Sequence, residues 1–241
     1  MKKITFLLLL ISFSFASSFG VEFALIGQLP QNEFKDEGVP TGFGMDISGL
    51  WYPANTLGFG LNLGGTQYGS SERQIPFNYF TDLTTITEKT TNNIGYGHLL
   101  IRFSPIQGKI KPYFEGLIGF KNLNTTTDLY NENCIDNPDT DHDDCEIASS
   151  KNASDNAFSY GGGGGLDIMI TSIGDEESDV QGILSFFINT RYVMGTEAEY
   201  LKEGAITFSD PEEGPVQTTF HPSKSKTDAL QINIGLHFDI K

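Results

Sequence analysis

An acidic segment near the middle of the chain carries residue types that bind hard cations. Asp139, Asp141 and Asp143 stand at every second position, as carboxylates do at the start of calcium-binding loops, where their oxygens converge on one ion. The complete loop pattern has a glycine after the third acid and a bidentate glutamate further on, whereas Asp144 takes the place of the glycine and Glu146 comes too early. The sequence therefore predicts at most a weak calcium site in a surface loop, with an ordinary solvated acidic loop as the alternative.

Two cysteines, Cys134 and Cys145, flank this acidic segment. In an exported protein such a pair forms a disulfide more often than a redox or zinc site. We therefore expect a disulfide that closes the acidic loop. Apart from the possible calcium ion, we expect no cofactor.

Two further groups of residues have types that occur in enzymes. Gly161–Gly165 is a run of five glycines, but no Lys-Ser or Lys-Thr pair follows it, so a bent strand is a better interpretation than a phosphate-binding loop. Ser209, Asp210 and His221 share one polar segment, yet nothing in their spacing fixes a nucleophile, a base and an orienting group together. We expect the protein not to be an enzyme.

The start of the chain has the layout of a secretory signal peptide. Lys2 and Lys3 precede an apolar run over 4–15, which is too short to span a bilayer, and small residues follow that allow cleavage after Ala16 or Gly20. We therefore divide the chain into a signal peptide over 1–20 and one domain over 21–241. The formal net charge of −16 disfavours nucleic acid as a partner, because phosphates need basic side chains.

The rest of the chain reads as strands with period-two alternation and hardly any helical period. An apolar face and a polar or small face alternate, as in Leu57, Phe59 and Leu61 against Gly58 and Gly60. Each stretch has about the 9–11 residues that a tilted membrane strand needs, with some overhang. The eight stretches are 21–29, 41–53, 56–68, 93–104, 110–122, 157–171, 183–195 and 228–240.

Charged side chains of both signs fall on the non-apolar face of these strands. In a membrane barrel that face is the lumen, where unpaired charges are costly, so we expect acids such as Glu115 and Asp167 to neutralise Arg102 and Arg191. The charged and ionisable residues of this face are Glu22, Asp46, His98, Arg102, Lys111, Glu115, Asp167, Arg191 and His237.

Short and long connectors alternate along the chain. The short ones follow the second, fourth and sixth stretches, and the long ones cover about 30–40, 69–92, 123–156 and 196–227. Outer-membrane barrels have this pattern of tight periplasmic turns and long outer loops. Aromatic residues near strand ends would then form interface girdles, and they include Trp51, Tyr52, Tyr68, Tyr79, Phe80, Tyr96, Tyr113, Tyr160, Tyr192 and Tyr200.

With this architecture the chain resembles the small outer-membrane β-barrel proteins of the eight-stranded OmpA/OmpX type. The final strand, over 233–240, resembles the terminal signal read by barrel-assembly machinery, although Ile240 stands where the family usually has an aromatic residue and Lys241 follows it. The resemblance implies an all-β, eight-stranded, antiparallel up-and-down transmembrane barrel. It also implies a monomer in the cell outer membrane, with membrane lipid and the assembly machinery as partners.

The expected function is that of a porin-like barrel with a structural or surface-interaction role, or at most a narrow pore. Eight strands enclose an interior that side chains can fill, which argues against a wide channel. One alternative is a soluble, lipocalin-like ligand-binding barrel, whose core would be the apolar face. A second alternative is an outer-membrane enzyme.

Overall fold

The computed structural model describes residues 18–79, 82–131, 146–173, 182–202, 205–208 and 218–240. These residues form strands almost throughout, with one short helix. The elements are β1 (Ser18–Pro30), α1 (Asn32–Asp36), β2 (Gly42–Ala54), β3 (Leu57–Tyr79), β4 (Asp82–Phe103), β5 (Ile110–Asn131), β6 (Glu146–Ile173), β7 (Gly182–Gly195), β8 (Glu197–Tyr200), β9 (Ile206–Phe208), β10 (Thr218–Phe220), β11 (Ser223–Lys226) and β12 (Ala229–Ile240).

Eight of the strands close into one antiparallel barrel in the order β1-β12-β7-β6-β5-β4-β3-β2. Neighbours in sequence are neighbours in space, and closure comes from β1, where Gly20 is paired with Leu50 of β2 and with Asp239 of β12. This arrangement confirms the predicted eight-stranded up-and-down barrel. Ser18 and Ile240 lie at the same end of the barrel as the short β2–β3, β4–β5 and β6–β7 connectors, so this is the periplasmic end on the predicted topology.

The barrel has its apolar side chains outside and its polar side chains inside. Phe43 is 70% exposed and Leu61 56%, whereas Asn62 and Ser48 on the opposite face are buried. A soluble barrel buries its apolar face, so the lipocalin-like alternative is wrong. An outward apolar band around a polar interior is the arrangement of a transmembrane barrel. Among the described residues no helix is long and apolar enough to cross a membrane.

Four strands are much longer than the sequence predicts. β3, β4, β5 and β6 contain 23, 22, 22 and 28 residues, because much of the segments 69–92 and 123–156 continues the sheet instead of forming loops. Only about 9–11 residues are needed to cross the membrane. The outward positions change from apolar to polar at Gln67 on β3 and at Asn122 on β5, so the upper halves form a sheet that stands above the apolar belt.

The remaining long connectors cover the extracellular mouth. Phe34 of α1 is fully buried, with its ring centroid 5.1 Å from that of Tyr200 on β8, and Tyr68 donates a hydrogen bond to the Leu201 carbonyl at 3.0 Å. Ser223 donates a hydrogen bond to Glu37, which with the charge of nearby Lys202 lowers the pKa of that carboxyl. The segment 30–40 and the described parts of 196–227 are therefore packed over the barrel instead of extending as open loops.

Candidate functional site

The main concentration of ionisable groups among the described residues lies inside the barrel, where strand alternation turns polar side chains inward. We call it the lumen cluster. Apart from Lys111, which is partly exposed at the periplasmic end, its members are buried. The members are Glu22 of β1, Asp46 of β2, Arg102 of β4, Lys111 and Glu115 of β5, Asp167 of β6, Arg191 of β7, and His237 and Asp239 of β12.

Arg102 connects two acids from different strands. Its Nη1 and Nη2 donate to both carboxylate oxygens of Glu22, and Nη2 also donates to Glu115 at 2.9 Å. The guanidinium carbon lies 4.0 Å from the centre of the Tyr113 ring, within reach of a cation–π interaction. Such a fork-shaped donor set suits a bidentate carboxylate, and here it joins β1, β4 and β5 across the lumen.

Arg191 makes the second bridge. Its Nε donates to Glu115 and its Nη1 donates to Asp46 at 3.1 Å, so Glu115 is shared between both arginines. Asn62 donates to Asp46 at 3.0 Å, and Asn189 donates to Glu115 at 3.1 Å. The two arginines and three carboxylates therefore form one continuous network that fills the middle of the barrel.

A second group, which shares Glu22 with this network, lies toward the periplasmic end. His237 Nδ1 is 3.4 Å from Asp167 Oδ2 and 3.5 Å from Glu22 Oε1, and His237 Nε2 is 3.2 Å from Asp239 Oδ1. Lys111 Nζ lies 3.6 Å from Asp239 Oδ2. A cavity of about 20 Å³ touches Asp167, His237 and Asp239, which is room for a single water molecule or ion.

The structure places all nine residues predicted for the polar lumen on the inner face. Glu115 contacts both arginines, but Asp167 faces His237 instead of an arginine. His98 is apart from the acids, with its Nε2 2.7 Å from Ser159 Oγ. Its Nδ1 has no hydrogen-bond partner among the described residues, so no carboxylate orients this imidazole as a general base would require.

Several aromatic residues are in positions that sequence reasoning missed. The assignment to interface girdles is wrong for five tyrosines and right for Trp51 and Tyr160, which do face outward. Buried inside the barrel or at its mouth are Tyr52, Tyr68, Tyr96, Tyr113 and Tyr200. The strand alternation itself could have corrected the prediction. Residues an even number of positions apart share one face of a strand. By this rule Tyr96 is on the same face as His98, Tyr113 on the same face as Glu115, and Tyr52 on the same face as Asp46.

Other predicted residues lie outside the described part of the chain. They are the acids Asp139, Asp141 and Asp143, the cysteines Cys134 and Cys145, Ser209 and Asp210, and most of the signal segment. His221 is described, and its Nε2 lies 3.0 Å from Thr207 Oγ1. The cation loop and the disulfide remain predictions.

The glycine run is part of β6 and lies between the two halves of the ion-pair network. Gly163 is paired with Glu115 on one side and Arg191 on the other. A Cβ at Gly165 would lie 2.5 Å from the Asn189 Cβ and 2.8 Å from the Tyr113 ring. Glycine is therefore needed here so that bulky lumen side chains of β5 and β7 can approach each other over β6.

Comparison with known proteins gives similarity of structure only. The chain matches no protein-family model, and no curated protein is similar to it in sequence. Ail, the attachment invasion locus protein of Yersinia pestis, is 13% identical in its complex with the heparin analogue sucrose octasulfate, with 92% of this chain and 97% of that chain covered and a TM-score of 0.35. A second Ail structure is 12% identical, with 92% of this chain and 97% of that chain covered and a TM-score of 0.36. Neisserial surface protein A is 12% identical, with 92% of this chain and 96% of that chain covered and a TM-score of 0.36.

At these identities and TM-scores, the fold assignment comes from the strand pairing of this chain and not from the neighbours. Eight strands closed into a ring, an apolar outer belt and a polar interior are the features of a small outer-membrane barrel. The protein is located in the cell outer membrane.

Proposed function

We propose that this protein is a non-enzymatic surface-binding component of the outer membrane, with a lumen closed to solutes. The observation that carries the proposal is the division of the barrel into a closed interior and a raised extracellular sheet. It would act as a monomer, inserted by the barrel-assembly machinery and surrounded by outer-membrane lipid. The interior supports the first half of the proposal and the sheet supports the second.

The interior is filled where a pore would have to pass. Arg102 and Arg191 are each 1% exposed, and their shared acid Glu115 is 5% exposed. The two guanidinium groups span the lumen between β1, β2 and β5, so a solute would have to break buried ion pairs to cross it. Breaking such a pair leaves an uncompensated buried charge. The geometry therefore favours a plug over a diffusion channel.

The raised sheet supplies surface for a partner. Two adjacent grooves of about 210 and 230 Å³ run along it, and both touch Glu88 of β4 and Ile206 of β9. One groove is lined by Thr127, Ser149 and Phe220, so hydroxyl groups and an apolar ring face the same space. Aromatic side chains are enriched in protein interfaces, and the hydroxyl groups beside Phe220 supply donors and acceptors for a partner.

The charge of the chain restricts the class of partner. With a formal net charge of −16, the long-range field repels polyanions and attracts cationic or neutral surfaces. The sulfated ligand named in the Ail complex is of the opposite kind to the one that we expect here. We therefore propose a neutral or basic macromolecular partner.

The test compares wild-type protein with a shortened hairpin on the surface of non-adherent bacteria. Replacing 72–89 with a two-residue turn cuts β3 and β4 at the Ser71–Thr90 pair and keeps the register below it. Binding to an array of immobilised glycans and matrix proteins is measured. We expect wild-type cells to bind neutral or basic targets and the shortened variant to lose at least about tenfold in affinity, as hot-spot removal does.

The shortened variant must be shown to fold, by its altered migration on gels before heating. A separate experiment, planar-bilayer recording of the wild type, tests whether the lumen is plugged. Large, stable conductance steps from the wild type would favour the narrow-pore alternative instead. Absence of binding by the wild type, or equal binding by both proteins, would contradict the surface-binding proposal.

A further inference from the structure

We propose that Glu22, Asp167 and His237 form a zinc-binding site at the periplasmic end of the lumen. These three side chains come from β1, β6 and β12, and all three are buried. The site is separate from the acidic loop and independent of the extracellular partner proposed above.

The spacing of the donor atoms suits a small divalent metal. One oxygen from each acid and one ring nitrogen of His237 lie within 4.8 Å of one another. His237 Nδ1 is 3.4 Å from Asp167 Oδ2 and 3.5 Å from Glu22 Oε1. Tetrahedral zinc with bonds of about 2.0–2.2 Å places neighbouring ligand atoms about 3.3–3.6 Å apart. The two measured edges already have that length.

The charge of the lumen cluster leaves room for a cation. The cluster contains the carboxylates of Glu22, Asp46, Glu115, Asp167 and Asp239 and the basic groups of Arg102, Lys111 and Arg191. With His237 counted as the neutral imidazole that binds a metal, five carboxylates and three basic groups leave an excess of two negative charges. Lys121, also buried, lies at the opposite, extracellular end, where it donates to the Thr227 carbonyl. One divalent ion would balance the excess.

A second observation, independent of the spacing, points to a ligand. Asp167 is only 4% exposed, and its Oδ1 has no hydrogen-bond partner among the described residues. An unsatisfied carboxylate oxygen in a buried site is costly, and such groups call for a bound water or ion. Two of the three ligands, Asp167 and His237, line the cavity of about 20 Å³ together with Lys111 and Asp239, so an ion that enters this cavity reaches both of them.

The surroundings of the three ligands would orient them. When His237 binds metal through Nδ1, its Nε2 carries the proton. This atom lies 3.2 Å from Asp239 Oδ1 but is not hydrogen-bonded to it, so the Asp239 carboxylate would have to rotate to accept that proton. A carboxylate beside the second ring nitrogen is the usual support of a metal-binding histidine. Arg102 holds both oxygens of Glu22 in the same way from the other side.

The site also has a route of entry. The cavity is lined by Ser18, Asn55, Ser104 and Gln107, which lie at the start of β1 and in the short periplasmic connectors. A metal ion from the periplasm can therefore reach Asp167 without passing the Arg102 and Arg191 bridges.

The experiment titrates zinc into the full mature barrel, refolded in detergent and stripped with a chelator, and follows heat by calorimetry. We expect one zinc per barrel in the wild type, and a loss of affinity of at least about a hundredfold in His237→Gln and Asp167→Asn, since each removes a ligand. His98→Gln is the matched control. It removes a second buried lumen histidine, whose ring lies beside Ser159 instead of acids, and it should bind zinc like the wild type.

X-ray absorption of the zinc-loaded wild type keeps the proposal testable if a variant does not fold. The expected shell contains one imidazole and oxygen donors, with no sulfur. A wild type that binds no zinc, unchanged binding in His237→Gln, or a shell with sulfur or without imidazole would each overturn the proposal.

Discussion

Arg191 of β7 contacts Glu115 of β5 across an intervening strand, directly over Gly163 of β6. The register pairs Gly163 with both residues, and a Cβ at this position would press on the backbone of β7 that carries Arg191. The glycine run is therefore a structural requirement of the ion-pair network.

We expect Gly163→Ala to destabilise the barrel by about 1–3 kcal/mol, the range for overpacked interiors. Its Cβ would lie 2.1 Å from the Thr190 carbonyl oxygen and 2.8 Å from the Arg191 Cα, so backbone must move. Gly162→Ala is the control, because its Cβ faces outward and meets the nearest atom, the Glu115 carbonyl oxygen, at 3.1 Å. Urea unfolding in lipid vesicles, followed by the fluorescence of the single tryptophan, measures both. Equal midpoints would contradict the packing argument.

Glu115→Gln tests the network itself. The change leaves Arg102 and Arg191 each without one of their carboxylate partners in a buried site. Because breaking a buried ion pair is strongly destabilising, we expect the free energy of unfolding to fall by about 3–5 kcal/mol. Glu72→Gln breaks an exposed pair, in which Lys89 Nζ is 3.4 Å from Glu72, and should cost less than about 1 kcal/mol. The same unfolding measurement serves for both, and a difference below 1 kcal/mol between the variants would refute the central role of Glu115.

The membrane part of the fold was predictable because lipid outside and polar groups inside force strict alternation. Phe43 and Leu61 show this on β2 and β3. The raised sheet was not predictable in this way. Above the belt both faces of a strand meet water, so polar residues occupy successive positions, and pairs such as Thr90 and Thr127, 2.8 Å apart through their hydroxyls, leave no apolar period.

The lumen residues were predictable one by one, and Glu115 was predicted to neutralise both arginines, but their other partners were not predictable. Parity shows that Glu22 and Arg102 point inward, yet they are 80 residues apart and on strands that are not neighbours. Which side chains meet across the lumen depends on the stagger of all eight strands. That stagger brings Asp167 to His237 instead of to an arginine.

Arginine on the lipid face should be strongly unfavourable at the middle of the belt. Leu61 is outward and 56% exposed, so Leu61→Arg should destabilise the barrel by about 2–4 kcal/mol in vesicles. Gln67→Arg is matched to it, since Gln67 has the same parity on the same strand but lies where the belt ends, and it should cost about 0–1 kcal/mol. A spin label on Leu61 that reports water would contradict the membrane assignment.

The acidic segment yields a prediction of its own. We expect Cys134 and Cys145 to be disulfide-bonded in the exported protein, so that intact mass after alkylation changes only when a reductant is added first.

The closed loop should bind calcium with a dissociation constant of about 10⁻⁴–10⁻³ M, because its ligand pattern is incomplete. Asp139→Asn/Asp141→Asn should then give a flat calorimetric trace. Identical traces from wild type and variant would leave the segment as ordinary solvated surface.

The strand ladder separates the two cleavage sites that the signal segment allows. β1 begins at Ser18, and Phe19 is already paired with Trp51 of β2 and Ile240 of β12. Cleavage after Gly20 would remove these paired residues and leave backbone groups of β2 and β12 without strand partners at the periplasmic end of the barrel. Cleavage after Ala16 leaves the ladder intact.

We therefore predict that the mature protein begins at Ser17. Intact mass and N-terminal sequencing of protein extracted from outer membranes measure the end directly. Ala16→Leu should block processing, because the peptidase requires a small residue before the cut, while Gly20→Ser should leave the mature end unchanged. A mature chain that begins at Val21 would show that the barrel closes without the first three residues of β1, since these pairs would then be dispensable for closure.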